Sequence, residues 1–349
     1  MNDKNIDKKL LTWYTKNGDK GLPWRLYSDP YKIWISEIML QQTQVNTVIP
    51  FFLKWMKLYP DITKLSQASI DELLILWQGL GYYKRVENIL FSSQIITKKY
   101  NNIFPDKYDN LISLKGIGDY TASAILSIAF KKKYLPIDGN IKRILSRLYM
   151  LPKHKQNISN YKKIVSLFIN KKNPGDSVQA LMDIGRTICK PKKPICLSCP
   201  LLKICKAYKY DKILQYPITT KKIIPHLNVV VGYIRKNNQF IITKRQKNKL
   251  LANLWELPGG KININENSSD ALVREVLEEL DIQITNLHYV GEIKHQYSHF
   301  KLNVILFKCK YLKGEPKPLQ SQAYQWITKN EIKDFAFPQA THKLFKLIN

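Results

Sequence analysis

The chain has 349 residues, of which 56 are Lys or Arg and 27 are Asp or Glu, a formal net charge of +29 at neutral pH. At roughly 150 residues per domain this length predicts two domains, and a composition 44% hydrophobic and 11% aromatic excludes a disordered polymer. The sequence lacks an apolar run of the ~18 residues that a membrane span needs; residues 1–9 are charged where a secretory signal is apolar, and five cysteines are no disulfide scaffold.

From the N-terminus, apolar residues recur at helical spacing over Ile6–Asn17, Pro30–Leu40, Val45–Leu58, Ile70–Trp77, Tyr82–Tyr100, Thr121–Phe130, Ile141–Met150, Ile158–Ile169 and Ser177–Cys189. Ser28-Asp29-Pro30, Tyr59-Pro60-Asp61 and Asn173-Pro174-Gly175 punctuate these helices as turns. Tyr208–Pro225, rich in Lys, Tyr and Pro, has weak periodicity and reads as a linker. After it the β-branched runs Asn228–Ile234, Gln239–Thr243, Ile282–Leu287 and Leu302–Cys309 predict strands, with one helix over Ser268–Leu280. The expectation is an all-α domain over residues 1–207, a linker over 208–225 and an α+β domain over 226–349. Residues 1–225 carry 38 basic and 16 acidic side chains and the remainder 18 and 11. Attraction to phosphate is therefore concentrated in the front part, although a Lys-rich compositional bias would raise charge throughout.

Four cysteines close the helical part: Cys189, Cys196, Cys199 and Cys205. Four soft thiolates at uneven spacing suit a [4Fe–4S] cubane, one sulfur to each iron. A four-cysteine zinc site is the competing reading, but it usually shows two short-spaced pairs, and only Cys196/Cys199 is one. Cys309, in a strand pattern, reads as a core thiol. Leu114-Lys115-Gly116-Ile117-Gly118 precedes a helix, so backbone N–H groups at two glycines and a helix N-terminus can meet a phosphate. An ordinary interhelical turn fits the same residues. Asp138, in Pro136-Ile137-Asp138-Gly139-Asn140, taken alone reads more simply as a turn or N-cap acid.

Hairpin, Asp and four-cysteine loop in this order resemble the helix–hairpin–helix DNA glycosylases of the endonuclease III superfamily. Leu22-Pro23-Trp24-Arg25, Ser36-Glu37-Ile38-Met39-Leu40-Gln41-Gln42-Thr43-Gln44-Val45 and Gly79-Leu80-Gly81-Tyr82-Tyr83 resemble, within it, the adenine DNA glycosylase (MutY-type) signature. The resemblance implies an enzyme of base excision repair that flips out and removes adenine mispaired with 8-oxoguanine or guanine in double-stranded DNA. Excision needs a proton on the base and negative charge beside an oxocarbenium-like sugar. Glu37 lies on a helix that is apolar nearly all round, so its pKa is expected to be raised, as a general acid requires. The resemblance gives Glu37 that role, makes Asp138 the carboxylate that stabilises or traps the sugar cation, and makes Asn140 its companion. Tyr120 stands where the related glycosylase/lyases carry a Schiff-base Lys, which implies a monofunctional enzyme that leaves an abasic site.

The base must leave the stack before it reacts. By resemblance Gln42 and Tyr82 enter the duplex as wedges, Gly116 and Gly118 grip the backbone, and Trp24, Arg25 and Gln179 line the adenine pocket. In the rear domain Gly260-x5-Glu266-x7-Arg274-Glu275-Val276-Leu277-Glu278-Glu279-Leu280-Asp281-Ile282 resembles the Nudix box of Mg-dependent nucleotide pyrophosphatases. Its carboxylates share one helix face by spacing, but Asp281 stands where the box has Gly. A displaced helix end is therefore expected, and with it no hydrolysis; the resemblance to adenine DNA glycosylases implies instead a domain that recognises 8-oxoguanine, through a loop similar to theirs at Tyr297, Ser298 and His299. The alternative is a DNA-binding protein whose Nudix domain hydrolyses oxidised purine triphosphates. A monomeric, cytoplasmic, nucleoid-associated protein with a [4Fe–4S] cofactor is expected.

Overall fold

Helices form where the sequence supplies both an apolar stripe and a start signal, in a computed structural model that describes residues 5–219, 224–297 and 300–348. Asp29 accepts from the Tyr31 N–H to start Pro30–Leu40, Ser69 and Glu72 make a reciprocal capping box for Ile70–Trp77, and Asp138 caps Gly139–Tyr149. Several boundaries differ from the periodicity, among them the end of the expected Ile158–Ile169 helix at Val165 and the start of the expected Ile141–Met150 helix at Gly139. The expected Tyr82–Tyr100 helix begins at Lys84, because Gly79, Gly81 and Tyr82 take positive φ, outside the helical region. Pro174, suited to the first helical turn, starts Pro174–Asp183 early, and Ile184–Ile188 continues it as a π-helical turn. The hairpin helix Asp119–Ile128 opens two residues before the predicted Thr121, with Gly118 at its N-cap.

Packing divides the chain into Met1–Gln67 with Asn88–Lys221, and Ala68–Glu87 with Lys222–Asn349. The first unit is helical. Ile6, Leu10 and Tyr14 pack with Ile141, Ile144, Leu145, Phe168, Leu181 and Ile184, and Cys189, Cys199 and Cys205 lie against the same core. The N-terminal helix thus braces the part of the unit that holds the four-cysteine loop. Among the described residues no helix is long and apolar enough to cross a membrane.

The second unit is built on a mixed sheet of β1 (His226–Lys236), β2 (Gln239–Lys244), β3 (Trp255–Glu256), β4 (Gly259–Lys261), β5 (Gln283–Gln296), β6 (Lys301–Lys313) and β7 (Ala323–Ile327). The order is β3-β2-β1-β6-β5, with β4 also on β1 and β7 on β2; β1 and β6 run parallel and the other pairs antiparallel. Period-two alternation sends Val230 and Ile241 to a face covered by the Ser268–Leu280 helix, with Leu272 and Val276. It sends Val231 and Ile242 to the opposite face, with Leu344 and Phe345 of Gln339–Ile348. Cys309 is buried in the first of these layers, and burial pushes its thiol up to about 12. Ala68–Glu87, which the sequence division assigns to the front domain, packs in this second unit.

Candidate active site

The Pro30–Leu40 helix turns Ile33, Trp34, Ile35, Ile38 and Met39 into the core, leaving Glu37 no polar face to occupy. The residue is 5% exposed, and burial pushes the pKa of its carboxyl up to about 7. The Tyr120 hydroxyl donates to Glu37 Oε2 at 2.7 Å, which opposes that rise, while Asp138 adds to it and Arg25 offsets it. Burial and the two carboxylates hold the Tyr120 phenol well above its ordinary value, so it stays a neutral donor. Tyr120 reaches this position from the first turn of Asp119–Ile128.

Asp138 enters from another helix start. Its Oδ1 accepts the Ile141 N–H at 2.7 Å and its Oδ2 accepts Asn140 Nδ2 at 2.9 Å. Burial raises its pKa, and the N–H donors and Arg143 oppose that rise. Asn140 Oδ1 accepts from Arg143 Nη2 at 2.8 Å, and Arg143 also donates to the carbonyls of Cys189 and Gly185. A Cβ on Gly185 would lie 2.5 Å from the Asn140 Cβ, so only glycine leaves room for this companion. Arg143, Gly185 and Asp183 are site residues that the sequence reading did not single out. Asp183 had a signal, an acid inside the apolar Leu181–Ile184 stretch.

One cavity of about 490 Å³ gathers Glu37, Tyr120, Asp138 and Asn140 with Trp24, Arg25 and Gln179. Arg25 is held in its wall by a buried two-point pair with Asp183, Nη1 to Oδ2 at 2.7 Å and Nη2 to Oδ1 at 3.0 Å. Trp24 packs edge-on against Phe52 with ring centroids 5.3 Å apart. Such a cavity can take a planar base, with an acid and a second carboxylate on its wall.

The remaining candidates lie outside that lining. Gln42 sits at φ 57° just beyond the Pro30–Leu40 helix, and Tyr82 at φ 49° in the second unit. Gly116 and Gly118 are exposed around buried Ile117. Gly116 takes φ 82°, and a Cβ there would press to 2.7 Å from Asn88, so the hairpin turn requires glycine at this position.

All four cysteines of the loop line a second, apolar cavity with Ile144, Leu148, Ile184, Ile188 and Leu201. Each is a free thiol, and among the described residues no three His, Cys, Asp or Glu side chains converge as ligands of a single metal ion. Burial pushes Cys199 up to about 12. Arg147 places Nη1 3.4 Å from Cys189 Sγ and holds the loop carbonyls of Lys190 and Pro191. A soft four-thiol set in an apolar shell, with the buried Arg147 guanidinium against it, fits an anionic iron–sulfur core in its chemistry.

In the second unit Arg274 gathers the box carboxylates, meeting Glu266 at 2.7 Å, Glu275 at 2.9 Å and Glu278 at 3.4 Å. Glu279 accepts from the Gly259 N–H, and burial followed by neighbouring Glu256 pushes it up to about 7. The expected displacement of the helix end is not found. Asp281 adopts φ 57° and ψ 34°, the left-handed cap that Gly would supply, and donates its N–H to the Leu277 carbonyl at 2.9 Å. Asp tolerates that region better than most residues, and Lys317 pairs with its carboxylate at 3.0 Å. Tyr297 donates its N–H to the Phe300 carbonyl at the tip between β5 and β6; Ser298 and His299 lie outside the described residues.

Residues 35–168 match the family described as HhH-GPD superfamily base excision DNA repair protein, and residues 230–347 match the NUDIX domain family. An adenine DNA glycosylase from Buchnera aphidicola subsp. Acyrthosiphon pisum (strain APS) is 40% identical over 309 residues, 87% of this chain and 86% of that one. A second, from Buchnera aphidicola subsp. Schizaphis graminum (strain Sg), is 36% identical over 345 residues and 97% of each chain. Among solved structures, a thermostable thymine-DNA glycosylase superposes at a TM-score of 0.54 and 26% identity, over 59% of this chain and 96% of that one. With a helix–hairpin–helix glycosylase fold in front, a Nudix-like fold behind and relatives of one name spanning most of its length, the chain belongs to the adenine DNA glycosylase family and is an adenine-specific DNA N-glycosylase of base excision repair.

Proposed function

We propose that this glycosylase excises adenine standing opposite 8-oxoguanine or guanine in duplex DNA, and that it is monofunctional. The observation that carries the chemistry is the buried Glu37 carboxyl, raised to about 7 and bonded to Tyr120. Neutral adenine leaves poorly. A proton from Glu37 to a ring nitrogen lets the glycosidic electron pair depart with the base, and the anion of Asp138 stabilises the sugar cation. The Glu37 carboxylate then takes a proton from the water that adds to the sugar carbon. Tyr120 orients Glu37, and Asn140 orients Asp138. A phenol at position 120 offers no amine for a Schiff base, which supports an intact abasic product.

In the same reading Trp24, Arg25 and Gln179 hold the extruded base, Gly116 and Gly118 grip the backbone, and Gln42 and Tyr82 wedge the duplex near the mispair. The rear domain reads 8-oxoguanine through Tyr297, Ser298 and His299, and the protein works at the nucleoid. Catalysis belongs to residues 1–207 and recognition to 226–349. Cys189, Cys196, Cys199 and Cys205 hold a [4Fe–4S] cluster, which when bound supplies a structural tie and a redox-active centre, while Arg147 offsets its negative charge.

A second reading, Mg²⁺-dependent hydrolysis of oxidised purine triphosphates, is favoured by one observation: the left-handed cap at Asp281 leaves the box helix undistorted. If that reading holds, wild type with Mg²⁺ releases pyrophosphate and Glu278→Gln with Glu279→Gln abolishes the release; no release leaves recognition alone.

Single-turnover excision on duplexes carrying adenine opposite 8-oxoguanine, guanine or thymine tests the main reading, with 8-oxoguanine expected to be fastest. Glu37→Gln should bind DNA nearly as wild type yet lose at least ~100-fold in rate, the lower end of acid–base catalysis. Because the acid works protonated, the wild-type rate should fall as pH rises through about 7. Near-normal excision by Glu37→Gln contradicts the assignment. Purified protein should contain about four irons per chain if each thiolate holds one corner of a cubane, and one zinc per colourless chain sinks that assignment.

A further inference from the structure

In chain order Ala68–Glu87 lies inside the residues matched to the glycosylase family, yet it packs with the rear unit. The grip centres on Gln78, which follows the Ile70–Trp77 helix. Its Nε2 donates to the Phe335 carbonyl at 3.2 Å; its Oε1 accepts from the Phe337 N–H at 3.4 Å and lies 2.5 Å from His342 Nε2. Both ends of one amide are thus committed to the segment that leads into and through the Gln339–Ile348 helix. Nearby, the Tyr83 hydroxyl donates to the Phe337 carbonyl at 3.4 Å, and Asn253 Nδ2 donates to Glu87 at 2.9 Å.

Between these anchors stands Tyr82, 37% exposed and at φ 49°, a conformation costly for a bulky side chain unless its surroundings impose it. Buried Arg85 imposes it. Its Nη2 donates to the carbonyls of Leu80 and Gly81 at 3.0 and 2.9 Å, and its guanidinium lies over the rings of Trp77 and Tyr82. Trp77 Nε1 donates to the Gly81 carbonyl as well, at 3.1 Å. The loop is therefore internally stiff, and Gln78 and Tyr83 set its orientation.

The same Gln339–Ile348 helix touches the reading tip. The Tyr297 hydroxyl accepts from the Ala340 backbone, and the two residues line one cavity with Thr341 and Leu344 of that helix. Two residues along that helix from Ala340 is His342, the partner of Gln78. A continuous hydrogen-bonded path thus runs from Tyr297 through the helix to the Tyr82 loop, the kind of contiguous network that can couple two contacts.

We propose that Gln78 is a positioning residue that locks the Tyr82 wedge to the lesion-reading unit, so that reading the base opposite adenine and wedging the duplex are one event. The proposal rests on the functional reading of Tyr82 as wedge and of Tyr297 as part of the reader. It makes Gln78 a determinant of mispair selectivity, acting through Tyr82, without contact to the reacting atoms.

The test is single-turnover excision by the full-length chain on adenine opposite 8-oxoguanine and opposite guanine. Gln78→Ala and, from the other side of the contact, His342→Ala should each lower the preference for 8-oxoguanine by at least about 5-fold, the lower end of inter-site coupling. The rate opposite guanine and the melting temperature should hardly change. In a Tyr82→Ala background Gln78→Ala should add no further loss of preference. Equal losses on both substrates, an unchanged preference, or a full additional loss without Tyr82 overturns the coupling. If Gln78→Ala does not fold, His342→Ala decides by the same criteria. A wild type without preference for 8-oxoguanine overturns the reading of the rear unit itself, and the coupling with it.

Discussion

The structure turns on a carboxyl group taken out of water. Glu37 sits among Ile33, Trp34, Ile38 and Met39 on a helix with no solvated face, and the Tyr120 hydroxyl donates to its carboxyl. Desolvation disfavours the charged form, so the proton is retained near neutrality, where an ordinary glutamic acid has lost it. The same burial has a thermodynamic cost. A folded-state pKa above the unfolded value means stability is full below the unfolded pKa of 4.5 and is lost as pH rises through about 7. On the proposed role of Glu37 as the acid, activity and stability at alkaline pH therefore pull in opposite directions at this residue.

Asp138 shows the complementary solution. It is buried as well, but it caps a helix and receives donors on both oxygens, so the anion has partners that Glu37 lacks. Those donors are themselves held. Asn140 is fixed by Arg143, Arg143 by the carbonyls of Gly185 and Cys189, and Cys189 faces Arg147. The carboxylate and the four-cysteine loop thus share one hydrogen-bond network, in which the loop positions the helix start at Asp138 through backbone carbonyls. Two carboxyl groups in one cavity, with environments that differ in donors, are what acid and electrostatic partner require.

Much of this was legible in the sequence because the signals are local. Helical periodicity located Pro30–Leu40 and Val45–Leu58 to the residue, the hydrophobic neighbours of Glu37 announced its desolvation, and the cysteine spacing marked one loop. What stayed hidden depends on distant partners. Asp183 matters because Arg25 lies 158 positions away in the chain, and Gly185 because Asn140 needs its space. Strands β3, β4 and β7 are too short for periodicity, and the Gln339–Ile348 helix acquires its role only through the layer it covers. The Asp281 expectation failed for a physical reason: a left-handed cap needs a residue that tolerates the conformation, and Asp paired to Lys317 does. Tyr82, read as the start of a helix, instead bends away from it, since Arg85 and Trp77 claim the carbonyls around it.

The central claim is that burial keeps Glu37 protonated near neutral pH, and it can be measured without turnover. Carbon-13 NMR titration of the glutamate side-chain carboxyls, with Glu37→Gln used to assign the Glu37 resonance, reads that proton directly. The account predicts a midpoint near 7 for Glu37, moving further up when Asp138 is kept and Tyr120→Phe removes the donating hydroxyl. A midpoint near the ordinary glutamate value of 4.5, unaffected by Tyr120→Phe, would contradict it.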